Sequence, residues 1–285
     1  MFKREMKRIA ILIVGVMFFV SNGFSLGVSP AVVCISGLEI GDDKDTGVDY
    51  TITNESAGEQ EFTLEVIAPI MPSDESLKGY SKLPDLAWLY VEKTDIIIPA
   101  KSTGTSRIHV KIPKEEKYYN QHWAVSCHIK QKGIGFVNVA VAPFIMIETK
   151  FKDKTSERPY GEFGLSPGII GVEFDRSENK KASFNIYNNG LKDCVYKIKS
   201  FVPDTKNNNA KISPTDGFEW AKDAKWVKIP SDNLKIKGGE YKEVVINIDC
   251  PKDLKIPEGR KGIEAMIFIE SENLQKRFVR VLITK

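Results

Sequence analysis

Little in this chain invites a catalytic or nucleic-acid reading. Only three histidines and four cysteines occur in 285 residues. No Gly-rich phosphate loop and no His-Glu-x-x-His is present, so nucleotide and zinc-peptidase chemistry lack the spacing they need. Gly 21 and Pro 14 together are about 12% of the chain, near average, which excludes collagen and low-complexity linkers. Charge is almost balanced, at 41 Lys+Arg against 38 Asp+Glu. The small excess sits at the start: residues 1–25 hold Lys3, Arg4, Lys7 and Arg8 against Glu5, leaving 37 of each sign. Displacing counterions from a nucleic acid takes a concentrated basic field, and the remainder has none. No cofactor or metal is expected.

What is present begins with an address. Ile9 to Val20 is an unbroken apolar run behind the basic head, and Ser21, Asn22 and Gly23 end it. These are the three parts of a secretory signal peptide. As a helix the run is ~18 Å long, short of the ~30 Å hydrocarbon core. Gly23 and Ser25 fit the small positions before a cut, so cleavage is expected after Ser25. The alternative is an uncleaved anchor, since Phe24, Leu26 and Val28 prolong the apolarity; membrane contact is expected only in that case. Beyond position 26 no apolar stretch is long enough for a membrane-spanning helix. The protein is expected to be exported, to a periplasm or to the cell surface.

The exported part repeats itself. Leu26-Gly-Val-Ser-Pro30 returns as Phe163-Gly-Leu-Ser-Pro167, at an offset of 137. Tyr50-Thr-Ile-Thr-Asn54 returns as Phe184-Asn-Ile-Tyr-Asn188. Trp88-Leu-Tyr-Val returns as Trp226-Val-Lys-Ile, and Ile108-His-Val-Lys-Ile-Pro113 as Ile246-Asn-Ile-Asp-Cys-Pro251, both at an offset of 138. Order is kept at nearly one offset, so two copies of domain size are expected. Polar Phe151 to Gly161 reads as the linker, giving domains at 26–156 and 157–285.

Within a copy the hydrophobic period is two. Val48, Tyr50 and Ile52 alternate with polar neighbours, as do Phe62, Leu64 and Val66, then Ile108, Val110 and Ile112. Such alternation marks half-buried strands. Turn residues separate them at 54–58, 99–104, 188–190 and 237–239. Strands are expected at 28–36, 48–54, 61–68, 88–98, 105–112, 122–130 and 136–147. In the second copy they fall at 163–174, 182–188, 195–202, 226–236, 241–249, 262–271 and 276–284. The stretches 71–87 and 204–224 read first as long loops, with a helical turn as the alternative. Seven short strands per copy give an all-β chain of two tandem immunoglobulin-like β-sandwiches.

Trp88-Leu-Tyr-Val-Glu, Ile96-Ile-Ile-Pro-Ala-Lys-Ser102 and Ile112-Pro113 resemble the immunoglobulin-like domains of bacterial envelope proteins, and Trp226…Gly239…Cys250-Pro251 repeats the plan. The first copy also resembles the N-terminal domain of the periplasmic pilus chaperones: Tyr119 to Val125 stands where their F strand begins, and Phe136 to Ile147 where their long G strand runs. That resemblance implies a partner bound through strand pairing. It also implies an Arg on the first strand and a Lys on the G strand to clamp a carboxylate. This chain has no Arg or Lys between Phe24 and Asp43, and none from Phe136 to Ile147.

Few side chains stand out as candidate sites. His122 and His128 are six apart and share one strand face, read as solvated, with Trp123, Val125, Cys127 and Ile129 opposite in the core. His109 belongs to a strand of the other sheet, so a three-His metal site is not expected. Cys194 and Cys250 fall at opposite ends of their domain, too far apart for a disulfide, whereas Cys34 and Cys127 can meet if the first strand lies near the sixth. No cysteine has a base at nucleophile spacing. Asp42-Asp43-Lys44-Asp45 reads as a solvated turn rather than a calcium loop. Of Tyr118 and Tyr119, one is expected inward and one outward. The most unusual segment is Phe136 to Ile147, in which every residue but Asn138 is apolar or proline. Either the second domain or the 71–87 loop covers its outer face, or that face meets a partner strand. In the latter case Asn138, Ala140, Ala142 and Phe144 are the partner-binding residues, with Pro143 blunting the edge. The expected function is non-enzymatic: protein–protein interaction in a chaperone-like or assembly-accessory role. The alternative is a structural, adhesive or carbohydrate-binding surface module.

Overall fold

A computed structural model describes residues 26–69, 79–132, 140–174, 180–203, 212–251 and 254–284. The N-terminal segment 1–25 and its cleavage point lie outside the described residues. The first half forms β1 (Leu26–Ser29), β2 (Val32–Leu38), β3 (Lys44–Asn54), β4 (Gln60–Ile67), β5 (Ser81–Lys82), β6 (Leu89–Val91), β7 (Asp95–Ile98), β8 (Ser102–Val110), β9 (His122–Lys132), β10 (Ala140–Val141) and β11 (Phe144–Thr149). The second half forms β12 (Phe163–Ser166), β13 (Ile169–Glu173), β14 (Lys180–Asn188), β15 (Cys194–Phe201), β16 (Phe218–Trp220), β17 (Val227–Lys228), β18 (Asn233–Ile236), β19 (Tyr241–Ile248), β20 (Gly262–Ser271) and β21 (Lys276–Thr284).

Each half is a sandwich of two sheets. In the first, β1-β3-β8-β6 faces β2-β11-β9-β4-β7; in the second, β12-β14-β19-β17 faces β13-β21-β20-β15-β18. This is the immunoglobulin-like plan, drawn twice. The alternating residues fill the cores: Tyr50, Ile52, Ile108, Val110, Trp123, Val125 and Ile129 in one, Phe184, Ile186, Ile246, Ile267 and Val281 in the other. Burying each such side chain contributes about 1.5–3 kcal/mol relative to exposure.

The repeat is also a repeat of hydrogen bonds. Asn54 Nδ2 donates to the carbonyls of Gly58 and Ile98, both at 2.9 Å. Asn188 Nδ2 donates to Lys192 at 2.8 Å and Ile236 at 3.1 Å. Each buried amide ties a turn to a neighbouring strand, satisfying carbonyls that the ladders leave over. Asp85 and Asp223 cap the 3-10 turns Leu86–Trp88 and Ala224–Trp226 in the same way.

Three of the strands expected in the first copy are broken in the structure. The first changes sheets at Pro30, between β1 and β2, because proline has no N–H to carry the ladder on. Pro167 does the same in the second copy, between β12 and β13. The expected 88–98 strand is β6 and β7, in opposite sheets. The buried Ser106 hydroxyl holds that crossover by accepting from Lys93 N at 2.9 Å and donating to Lys93 O at 3.0 Å. Its counterpart, 226–236, divides into β17 and β18 likewise. The last strand of the first copy breaks at Pro143, and 133–139 lie outside the described residues. The helical turn allowed for in 71–87 is the 3-10 turn at 86–88, with β5 before it, and 204–224 carries β16.

Candidate functional site

The apolar segment around Pro143 divides into two parts with different surroundings. Upstream, β10 pairs only with β9, Ala140 opposite Lys130 and Val141 opposite Ile129. Among the described residues no strand pairs with its other edge. Ala140 and Ala142 are exposed, and Val141 is half-buried against the first core. Asn138 lies outside the described residues. Downstream, β11 is closed on both sides, antiparallel to β9 and parallel to β2, with Phe144 opposite Ser126 and Val32. The β2 ladder begins only there, so β10 is left at an open edge.

From Phe144 onward both faces of the strand are covered. Ile145 and Ile147 enter the first core. Phe144 and Met146 point the other way, into a cluster with Tyr80, Ala124, Ile212, Met266, Phe268 and Phe278. Those last three belong to β20 and β21, so the second sandwich covers the outer face of the first. Phe144, expected at a partner surface, thus belongs to the junction. Two glycines make the close approach possible. Gly79 has φ +86° and a Cβ there would lie 2.3 Å from the Phe278 ring; Gly161 has φ +104° and a Cβ there would lie 2.5 Å from the Arg277 guanidinium.

The junction is also charged. Arg280, 2% exposed, holds Glu148 with two nitrogens, Nη2 to Oε1 at 2.6 Å and Nε to Oε2 at 3.1 Å. Its Nη1 reaches Glu264 of its own sandwich and the Ser213 carbonyl at 3.2 Å. Tyr80 donates its hydroxyl to Glu148. Burial pushes the Glu148 carboxyl up, but the Arg280 charge and the hydrogen bonds to it prevail and hold it below the usual range. Arg277 is buried beside this group with neutral acceptors, Gln121 Oε1 at 3.2 Å and the Tyr160 carbonyl at 3.3 Å, and lies over the Phe163 ring. Burial lowers its pKa to about 10. Next to the group opens a cleft of about 710 Å³ between the sandwiches, reached by Cys34, His122, Glu148, Ile169, Pro214 and Arg280.

His122 corrects an expectation. It shares a face with His128, as its spacing requires, but that face is not solvated at His122. The residue is 5% exposed, because the second sandwich lies on it. Its ring stacks on Phe278 at 3.9 Å and 23°, with Tyr80 edge-on at 5.9 Å. His128 is half-buried, and His109 stacks on Tyr90 at 4.9 Å in the other sheet. Among the described residues no group of three His, Cys, Asp or Glu is placed to hold a metal ion.

The remaining candidates settle into structural roles. All four cysteines are free. Cys34 pairs with β11 rather than β9 and opens onto the cleft, while Cys127 is in the core on the other side of the sheet. Cys34 itself is exposed, but loss of water around its sulfur at the cleft, then the Glu148 charge, push the thiol up to about 11. In the acidic turn Lys44 pairs with Asp42 at 3.2 Å, Tyr90 donates to Asp43 at 2.8 Å, and Arg107 holds Asp45 at 3.0 Å and Asp49 at 2.6 Å. Tyr118 is buried against Trp88 and Trp123, and Tyr119 is half-buried. Gly23-Phe24-Ser25-Leu26-Gly27 has the spacing of a hydrolase elbow, but Gly27 lies inside β1 and not in a strand-to-helix turn.

Sequence reasoning missed Tyr80, Glu148, Glu264, Arg277 and Arg280. A signal existed: Glu264 and Arg280 each stand between apolar neighbours within their strands. A charge at such a position asks for a partner, but the partner's identity is set by the docking of two sandwiches.

No family model matches the chain, and no curated protein matches it in sequence. Among solved structures it is similar to a Porphyromonas gingivalis protein of unknown function, at 15% identity and TM-score 0.35 over 91% of this chain and 99% of that one. It is similar to a class 5 fimbriae chaperone at 14% identity and TM-score 0.33, over 90% of this chain and 99% of that one. It is similar to a chaperone–tip adhesion subunit pre-assembly complex of Acinetobacter baumannii at 8% identity and TM-score 0.31, over 92% of this chain and 100% of that one. What makes this chain immunoglobulin-like is its own strand pairing.

Proposed function

We propose that this chain is an exported, non-enzymatic protein of a bacterial envelope that binds a protein partner by strand addition beside β10, in a chaperone-like or assembly-accessory role. One observation carries the reading: the edge of β10 is unpaired among the described residues, and the side chains on it, Ala140 and Ala142, are small and exposed. An added strand gains main-chain hydrogen bonds there, and small side chains let it approach. Asn138 continues the same parity. The outer strands of that sheet differ from β10: β2 lies beside β11 at the junction end, and β7 carries the exposed Ile97. The test is a photo-crosslinking residue at Ala140 or Ala142 in cells of the native host. A discrete adduct at these positions, absent at exposed Val245, supports strand addition; labelling equal to that at Val245 removes it.

The adhesive or carbohydrate-binding alternative has one local support. Tyr187 and Tyr241 stack at 5.2 Å on the outer face of β14 and β19, with Tyr241 57% exposed. Glycan binding lost in Tyr241→Ala, with Ala140 variants unaffected, selects it.

A further inference from the structure

We propose that the junction between the two sandwiches is an acid-released clasp, with His122 as the group that takes the proton. This does not depend on the strand-edge reading, since it concerns the opposite end of the same strand. His122 lies on β9 directly opposite Glu148. Phe278, Arg280 and Arg277 meet it from β21, and Tyr80 from the segment before β5. Ser81 donates to its carbonyl at 3.3 Å. Its ring makes no hydrogen bond among the described residues. Glu148 is already engaged by Arg280 and Tyr80, and Glu264 by Arg280. A proton on His122 therefore puts a third cation beside Arg280 and Arg277 with no free carboxylate to receive it.

Opening the junction removes that conflict by giving the ring to water, where its pKa is about 6.5. In the closed form burial lowers it, Glu148 opposes, and Arg280 and Arg277 lower it further, to about 3. Between these values the open form binds a proton that the closed form does not. Acid therefore favours opening, progressively below about pH 6.5, with the effect complete near pH 3. At pH 4.5 the open-to-closed ratio rises about 100-fold over its neutral value. Glu148 acts in the same direction but lower down: its folded pKa is held below the usual value, so opening lets it take a proton only in stronger acid.

The experiment uses the full chain with labelled methionine methyls. Met146 and Met266 report the junction; isoleucine methyls of Ile52 and Ile186 report the two cores. From pH 7.5 to 4.0 the methionine signals are expected to move to solvent-exposed positions while both cores persist, and small-angle scattering to show a longer particle. In His122→Phe, which keeps the stack on Phe278, the response above about pH 4.5 disappears. His122→Gln, which keeps a polar side chain but does not titrate, behaves the same if the phenylalanine variant folds poorly. The proposal is overturned if either folded variant reproduces the wild-type profile, if junction and cores melt together, or if the His122 ring titrates near 6.5 with Met146 and Met266 unmoved.

Discussion

Phe144 in the first sandwich and Arg280 in the second hold equivalent places. Each stands opposite the first residue of the parallel strand beside it, Val32 or Ile169. Counting back along the same face sets Ala142 against Phe278 and Ala140 against Lys276. In the second copy that face carries large groups, and Phe278 and Arg280 are buried on the first sandwich. In the first copy it carries two exposed alanines. The same strand position is a finished contact in one copy and an unfinished one in the other. Two copies of one fold need not share an interface, because one strand face is decided by a few side chains while the core behind it is retained.

Breaking the finished side should cost most. Arg280→Ala leaves Glu148 and Glu264 buried without their cation, and a loss of about 3–5 kcal/mol is expected in urea unfolding. Gly79→Ala attacks the same contact from the backbone, since it combines a positive φ with a Cβ against Phe278; a lowered unfolding midpoint is expected. Next come the paired asparagines. Asn54→Ala and Asn188→Ala should each cost about 1–3 kcal/mol, and the two values should agree, because both remove the same turn anchor. A large difference would show that the copies divide stability unequally. On the open side, Ala140→Asp should change thermal unfolding by no more than about 0.5 kcal/mol. Val141→Asp, one residue on and turned to the core, should destabilise clearly. The smallest effect is expected at Ile97, 64% exposed on β7, where the second copy has Lys235 paired with Asp193. Ile97→Lys should leave stability unchanged and reduce self-association at high concentration, read by light scattering, since an edge lysine discourages strand pairing between molecules.

The parts of this molecule legible in the sequence are those that local rules decide. The period of two in Tyr50 and Ile52 placed them in the core, and Asn54 and Asn188 announced the turns they anchor. Ala140 and Ala142, on the same parity as polar Asn138, are exposed as that parity implies. What was not legible depends on contacts between distant segments. The spacing of His122 and His128 implied a shared face, but not the sandwich that covers His122. Phe144 read as a surface residue for the same reason. The splitting of 88–98 into β6 and β7 rests on Ser106, a hydroxyl whose partner Lys93 lies in the crossover itself.

Arg280 follows its partner Glu148 by 132 residues, which bears on the order of assembly. As the chain is made from its N-terminus, the residues that line the first core, all within β1 to β11 and their connections, are present before β21 exists. During that interval Met146 faces water, and Glu148 lacks the cation that later holds it. A chain without β21 therefore leaves the apolar flank of its first sandwich, Phe144 and Met146, without the Phe278 ring that covers it in the complete fold.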